Sequence, residues 1–114
     1  MKKFFTVAML CGFTTAFCQQ KPALIPEPVE YKQKTGSYTL PKTISIAAAN
    51  NAEVKNAANY LKEKLSAATG YTVSVATKAT GTISLSLNAT ADKTLGNEGY
   101  KLISSAAGVS IKAN

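Results

Sequence analysis

Four stretches of the chain repeat one local pattern, apolar–serine–apolar: Ile44-Ser45-Ile46, Val73-Ser74-Val75, Ile83-Ser84-Leu85 and Val109-Ser110-Ile111. Alternation with a period of two is the mark of a strand with one buried and one exposed face. The pattern predicts strands over 43–47, 71–76, 82–88 and 108–113, with a further strand over 98–104 that carries Tyr100, Leu102 and Ile103. Ser37-Tyr38-Thr39-Leu40 alternates in the same way and predicts a sixth. The spacing between the serine motifs is uneven, so they are not the units of a solenoid. Ala106-Ala107-Gly108 joins the last two strands as a hairpin.

One segment changes period. Between Asn50 and Gly70, Val54, Ala57, Ala58, Leu61, Leu65 and Ala68 recur at helical spacing and form one apolar stripe. Lys55, Lys62, Glu63 and Lys64 lie off it. Asn50 is placed to cap this helix, with Glu53 three residues on, and Gly70 is placed to end it with a positive φ. The expected fold is therefore α+β: a mostly antiparallel sheet with one amphipathic helix, about residues 51–69, packed on one face. Before it, Leu24 to Tyr31 contains Pro26 and Pro28, which exclude a helix and set an extended opening segment.

The first residues follow another logic. Lys2 and Lys3 precede a short apolar run that includes Phe4, Phe5, Val7, Met9, Leu10 and Phe13. The run is too short to span a bilayer, which takes about 20 apolar residues, and has the form of a secretory signal peptide. Residues 1–18 are expected to be that signal and 19–23 a tether. Cleavage is expected between Cys18 and Gln19, which leaves small residues Ala16 and Cys18 at the −3 and −1 positions. The protein is then exported, periplasmic or secreted. A lipid-anchored form fits less well, because the large Phe17 precedes Cys18 and Leu10 precedes Cys11. Both cysteines leave with the signal, so no disulfide is expected, and nothing downstream is apolar enough for a membrane span.

Composition removes much chemistry. Histidine and tryptophan are absent, and all 13 basic residues are lysine. That excludes a histidine base, an imidazole metal site and an arginine clamp. The net charge of +7 comes from lysines scattered singly, not from a basic stripe interleaved with aromatics, so no nucleic-acid partner is expected. The six acids are Glu27, Glu30, Glu53, Glu63, Asp92 and Glu98, and none forms an adjacent pair at a strand end of the kind glycosidic cleavage uses. No catalytic, cofactor-binding or metal-binding residue is assigned. Tyr31, Tyr38, Tyr60, Tyr71 and Tyr100 are spread over five elements, as packing residues are and a sugar-stacking platform is not. Asn88-Ala89-Thr90 matches the three-residue glycosylation pattern, a weak signal behind a bacterial type of export segment.

The order of the short motifs goes further. Leu24-Ile25-Pro26-Glu27-Pro28 is followed by Gly36-Ser37-Tyr38-Thr39-Leu40, and then by a helix with Ala57-Ala58-Asn59-Tyr60-Leu61 that ends at Thr69-Gly70-Tyr71. Leu95-Gly96-Asn97 leads into Glu98-Gly99-Tyr100-Lys101-Leu102, and Val109-Ser110-Ile111-Lys112-Ala113 closes the set. This series resembles the N-terminal accessory domain of family 20 glycoside hydrolases, the β-N-acetylhexosaminidases, over residues 24–114. The resemblance implies an antiparallel sheet with helices on one face, preceding a TIM-barrel catalytic domain. In that family the barrel releases terminal N-acetylhexosamine: the substrate acetamido group attacks the anomeric carbon, aided by an Asp-Glu pair. No such pair and no barrel occur here, so no catalytic residue is carried over. The expectation is a non-enzymatic accessory domain, a fragment whose partner is the missing barrel. The alternative is a free-standing exported module that binds a glycan or a protein.

Overall fold

The computed structural model describes residues 23–78 and 80–114. The chain divides into two compact units, Met1–Lys34 and Thr35–Asn114. In the first, residues 23–34 form neither helix nor strand, as the two prolines require, and the Ile25–Pro26 peptide is cis. Lys32 pairs with Glu30 at 2.7 Å. The expected signal, its cleavage point at Cys18 and Gln19 and most of the tether lie outside the described residues.

The second unit holds all the regular structure found among the described residues: β1 (Thr43–Ala48), α1 (Ala52–Thr69), β2 (Thr72–Thr77), β3 (Ile83–Leu87), β4 (Tyr100–Ser105) and β5 (Gly108–Ala113). The five strands make one sheet in the order β2-β1-β3-β5-β4. One helix and one sheet give the α+β class that the two hydrophobic periods predict.

Strand direction departs from expectation. The sheet is mixed: β1 runs parallel to β2 and to β3, and β3 runs parallel to β5. Only the β4–β5 hairpin is antiparallel. The expected predominance of antiparallel pairing fails because alternation reports that one face is uncovered, not which way a neighbour runs. Direction is set by the connections. Two residues between β4 and β5 allow only a reversal, whereas α1 carries the chain from β1 back to a parallel neighbour.

The connection from β2 to β3 is unusual. It has only residues 78–82, yet it joins parallel strands on opposite sides of β1. The stagger makes this possible: β2 ends at Thr77, opposite Ala48, and β3 begins at Ile83, opposite Ile46. The loop crosses under β1 on the face away from α1. There Thr82 Oγ1 accepts from the Ser45 N–H at 3.2 Å. A Cβ on Gly81 would lie 2.6 Å from the Ser45 carbonyl oxygen, so only glycine lets the backbones approach this closely. The two crossovers move in opposite directions across the sheet and take opposite faces, as right-handed crossovers must.

The helix begins one residue later than the capping pattern suggests. Asn51, not Asn50, is the N-cap: it is extended (φ −134°, ψ 136°), and its side chain accepts from the N–H groups of Glu53 and Val54. Asn50 instead accepts from Lys55 Nζ at 2.8 Å. Gly70 closes the helix at φ 70° and donates to the Ser66 carbonyl, as expected. Val54 and Ala58 are buried and Leu61 and Leu65 half-buried against Ile44, Ile46, Ala48, Val73 and Ile83. Ala57 and Ala68, expected on the same stripe, are exposed. Ile44 and Ile46 are wholly buried, each contributing about 1.5–3 kcal/mol of apolar burial. Ser37–Leu40 is not a strand; both flanks of β1 are already occupied, and Leu40 packs on the core without a ladder.

Candidate functional site

Ladder partners share a face of the sheet, so the register sorts every strand residue. Leu102, Ile111, Leu85 and Ala48 form one continuous row on the helix side, and Tyr100 and Ala113 continue that face beside Leu87. The backbone of α1 lies over β2, β1 and β3 and does not come over β5 or β4. A helix is about 10 Å wide and strands are about 4.8 Å apart, so one helix cannot cover five strands. The outer part of the row is left open: Tyr100 and Leu102 are 59% and 54% exposed. Ile103, on the opposite face of the same strand, is 48% exposed. Every residue of β4 is exposed, and β4 is the last strand of the sheet.

Three exposed apolar or aromatic residues within four positions of an edge strand, Tyr100 and Leu102 on one face and Ile103 on the other, make β4 the most distinctive part of the surface described. Its signal in the sequence is the doublet Leu102-Ile103, which breaks alternation and so places apolar side chains on both faces. Read as strand content alone, the doublet gives no hint of a surface.

A second organised feature borders it. Asn114 holds the loop between β3 and β4: its side-chain oxygen accepts from Asn88 Nδ2 and from the Asp92 N–H, both at 2.8 Å, and its amide donates to the carbonyls of Asp92 and Gly96. Asn88 is therefore engaged within the fold. Asp92 accepts from the hydroxyl and the N–H of Thr94 at 2.7 and 2.9 Å. Those bonds, the hydroxyl's first, hold its carboxyl below the usual aspartate range, with a smaller contribution from the Lys101 charge. This is loop architecture and not acid–base machinery, because the group is fully exposed.

The acids sit on separate elements. Glu53 is in the first turn of α1 and Glu63 farther along it. Glu27 and Glu30 lie in the opening segment, Asp92 in the β3–β4 loop, and Glu98 two residues before β4 instead of within it. Among the described residues, no group of three His, Cys, Asp or Glu side chains could hold a metal ion. No helix among them is long and apolar enough to cross a membrane. Of the tyrosines, Tyr60 is exposed on α1 with Lys64 Nζ 5.2 Å from its ring centroid, and Tyr71 and Tyr38 are half-buried.

Comparison with known proteins gives this fold a lineage. The family described as Glycosyl hydrolase family 20, domain 2, matches residues 21–114. The chain belongs to glycosyl hydrolase family 20. Among solved structures it is similar to two mutants of Streptomyces plicatus beta-hexosaminidase in complex with the product GlcNAc, and to the N-acetyl-beta-hexosaminidase of that organism in complex with Thio-NAglucal. In each case the identity is 32% and the TM-score 0.71. The match covers 79% of this chain and 17% of the Streptomyces chain. No curated protein sequence matches. The family 20 domain described here is the non-catalytic domain 2, an accessory domain, and the resemblance carried by the ordered motifs is borne out.

Proposed function

We propose that this chain is the exported accessory domain of a β-N-acetylhexosaminidase and that it supports a TIM-barrel catalytic domain of the same polypeptide. The observation that carries this reading is the open helix-side face of β5 and β4, where Tyr100 and Leu102 stay exposed beside Ile111. Isolated domains keep the apolar surfaces they bury against their neighbours. The match to 17% of a beta-hexosaminidase chain supplies a neighbour of the right kind. The domain contributes no acid to the reaction. Its role is mechanical: it covers apolar surface of the catalytic domain and raises the temperature at which the enzyme unfolds.

The test uses the full-length enzyme. Leu102→Asp should lower its thermal inactivation temperature by several degrees, while kcat/KM on a chromogenic N-acetylglucosaminide at 25 °C stays within about twofold. Amide exchange in β4 should slow when the remainder of the polypeptide is present. Equal exchange of β4 with and without it would show that this face is not the contact. Export is tested apart: N-terminal sequencing of the mature protein from its native host should begin at Gln19, and retention of Met1 overturns it.

A further inference from the structure

The serine motifs that recur along the strands are not used by the docking face. They lie on the other side of the sheet, and two of their serines, Ser84 and Ser110, help to line a groove of about 590 Å³ at the end of β1, within the size range of small-ligand sites. The groove opens where β1 stops. Ala48 ends β1 level with Thr77 of β2 and Leu85 of β3, but β3 runs on through Ser86 and Leu87. The gap so left is lined by Ser84, Ser86 and Ser110 from the serine face, by Ala48, Thr77 and Leu85, which share the other face, and by Asn50 and Lys78 beyond the strand ends. Ser84 and Ser110 are direct ladder partners.

Three observations point to a ligand. The groove sits outside the carboxyl ends of three parallel strands, at the place where one crossover leaves over the helix face and the next leaves under β1. Crevices at such points are where open parallel sheets bind small molecules. The hydroxyls of Thr77, Ser84, Ser86 and Ser110 and the ammonium of Lys78 have no hydrogen-bond or ion-pair partner among the described residues. Lysines stand close to the groove, with Glu53 in the neighbouring first turn of α1. Lys78 lines it, Lys55 is held at its rim by Asn50, and Lys112 is the ladder partner of Ser86. No strand of the sheet carries an acid, and no acid lines the groove.

We propose that this groove binds an acidic sugar: a ring whose hydroxyls exchange hydrogen bonds with the serine and threonine hydroxyls, and whose carboxylate or sulfate is met by Lys78. A neutral sugar would leave the lysine charges unused, and a bare anion would leave most of the hydroxyls unused. The site is built without β4, so its test and the docking test fail independently.

The test is amide chemical-shift titration of the protein with glucuronate, with glucose and with sodium sulfate at matched ionic strength. Glucuronate should give saturable shifts at Ser84, Ser86 and Ser110. Lys78→Gln should weaken them by about fivefold, and Ser84→Ala by a smaller factor, with the rest of the spectrum unchanged. Glucose should give no saturable shift. Three results overturn the proposal: no saturation by glucuronate at tens of millimolar, equal binding in Lys78→Gln, or sulfate binding as tightly as glucuronate, which would make the groove an anion site only.

Discussion

β2, β1 and β3 run parallel beneath α1, and Ile44, Ile46, Ala48, Val73 and Ile83 on their inward face are buried; β5 and β4 form an antiparallel hairpin beyond the helix, and β4 is exposed throughout. The two halves share one sheet and one style of sequence. Val73-Ser74-Val75 and Val109-Ser110-Ile111 are near copies, yet Val73 is in the core while Val109 and Ile111 are half-buried. The same local pattern thus supports two different fates. In one half alternation serves the stability of this domain. In the other it leaves Tyr100 and Leu102 exposed.

Mutations should separate the halves. Ile46→Ala, at a fully buried position, should cost about 2–5 kcal/mol in urea unfolding, because it removes contacts and leaves a cavity. Leu102→Ala, at a position more than half exposed, should cost under about 1 kcal/mol in the isolated domain. An equal loss at both sites would mean that the hairpin is as firmly packed as the parallel half. Gly81→Ala should come next, at about 1–3 kcal/mol, since the added methyl group would press on the Ser45 carbonyl under β1. A neutral result would show that the crossover is free to move away from the sheet.

The cap sharpens the contrast on a smaller scale. Asn51→Ala should destabilise by about 0.5–2 kcal/mol by thermal unfolding, and Asn50→Ala by a few tenths at most, because only Asn51 accepts from the first-turn N–H groups. The smallest effect lies in the β3–β4 loop. The Asp92 carboxyl is held low by Thr94, so its stabilising contribution is present above the unfolded-state pKa and is lost as pH falls through the lowered folded value. NMR titration should find that value below the ordinary aspartate range and moved upward in Thr94→Val. An unchanged titration in that variant would remove the Thr94 bonds as the cause.

Much of this was readable from the chain, and for a definite reason. Val54, Ala58, Leu61 and Leu65 at helical spacing, and Gly70 as the stop, are local signals, and local backbone preferences answer to them. Asn50 and Asn51 show the limit of such reading: both residue types suit a cap, and only the extended backbone of Asn51 decides between them. Ser37–Leu40 alternates as a strand should, but the sheet has no free flank beside β1 to receive it. The open face of β4 was legible only as a break in alternation at Leu102-Ile103. The groove was not legible at all, because its lining comes from four separate segments of the chain.

The sequence by itself determined the helix, the five strands that do form, the buried side of β1, β2 and β3 and, through its ordered motifs, membership of family 20, while Ser37–Leu40 offered a sixth strand that does not form. The elements follow from spacing within a few residues, and the membership from the order of short motifs along the chain. Only the tertiary structure decided that the sheet is largely parallel, that a five-residue loop passes under β1, and that α1 covers three strands and leaves two. Those outcomes depend on which distant strands become neighbours and how far one helix reaches across them, and side-chain periodicity encodes neither.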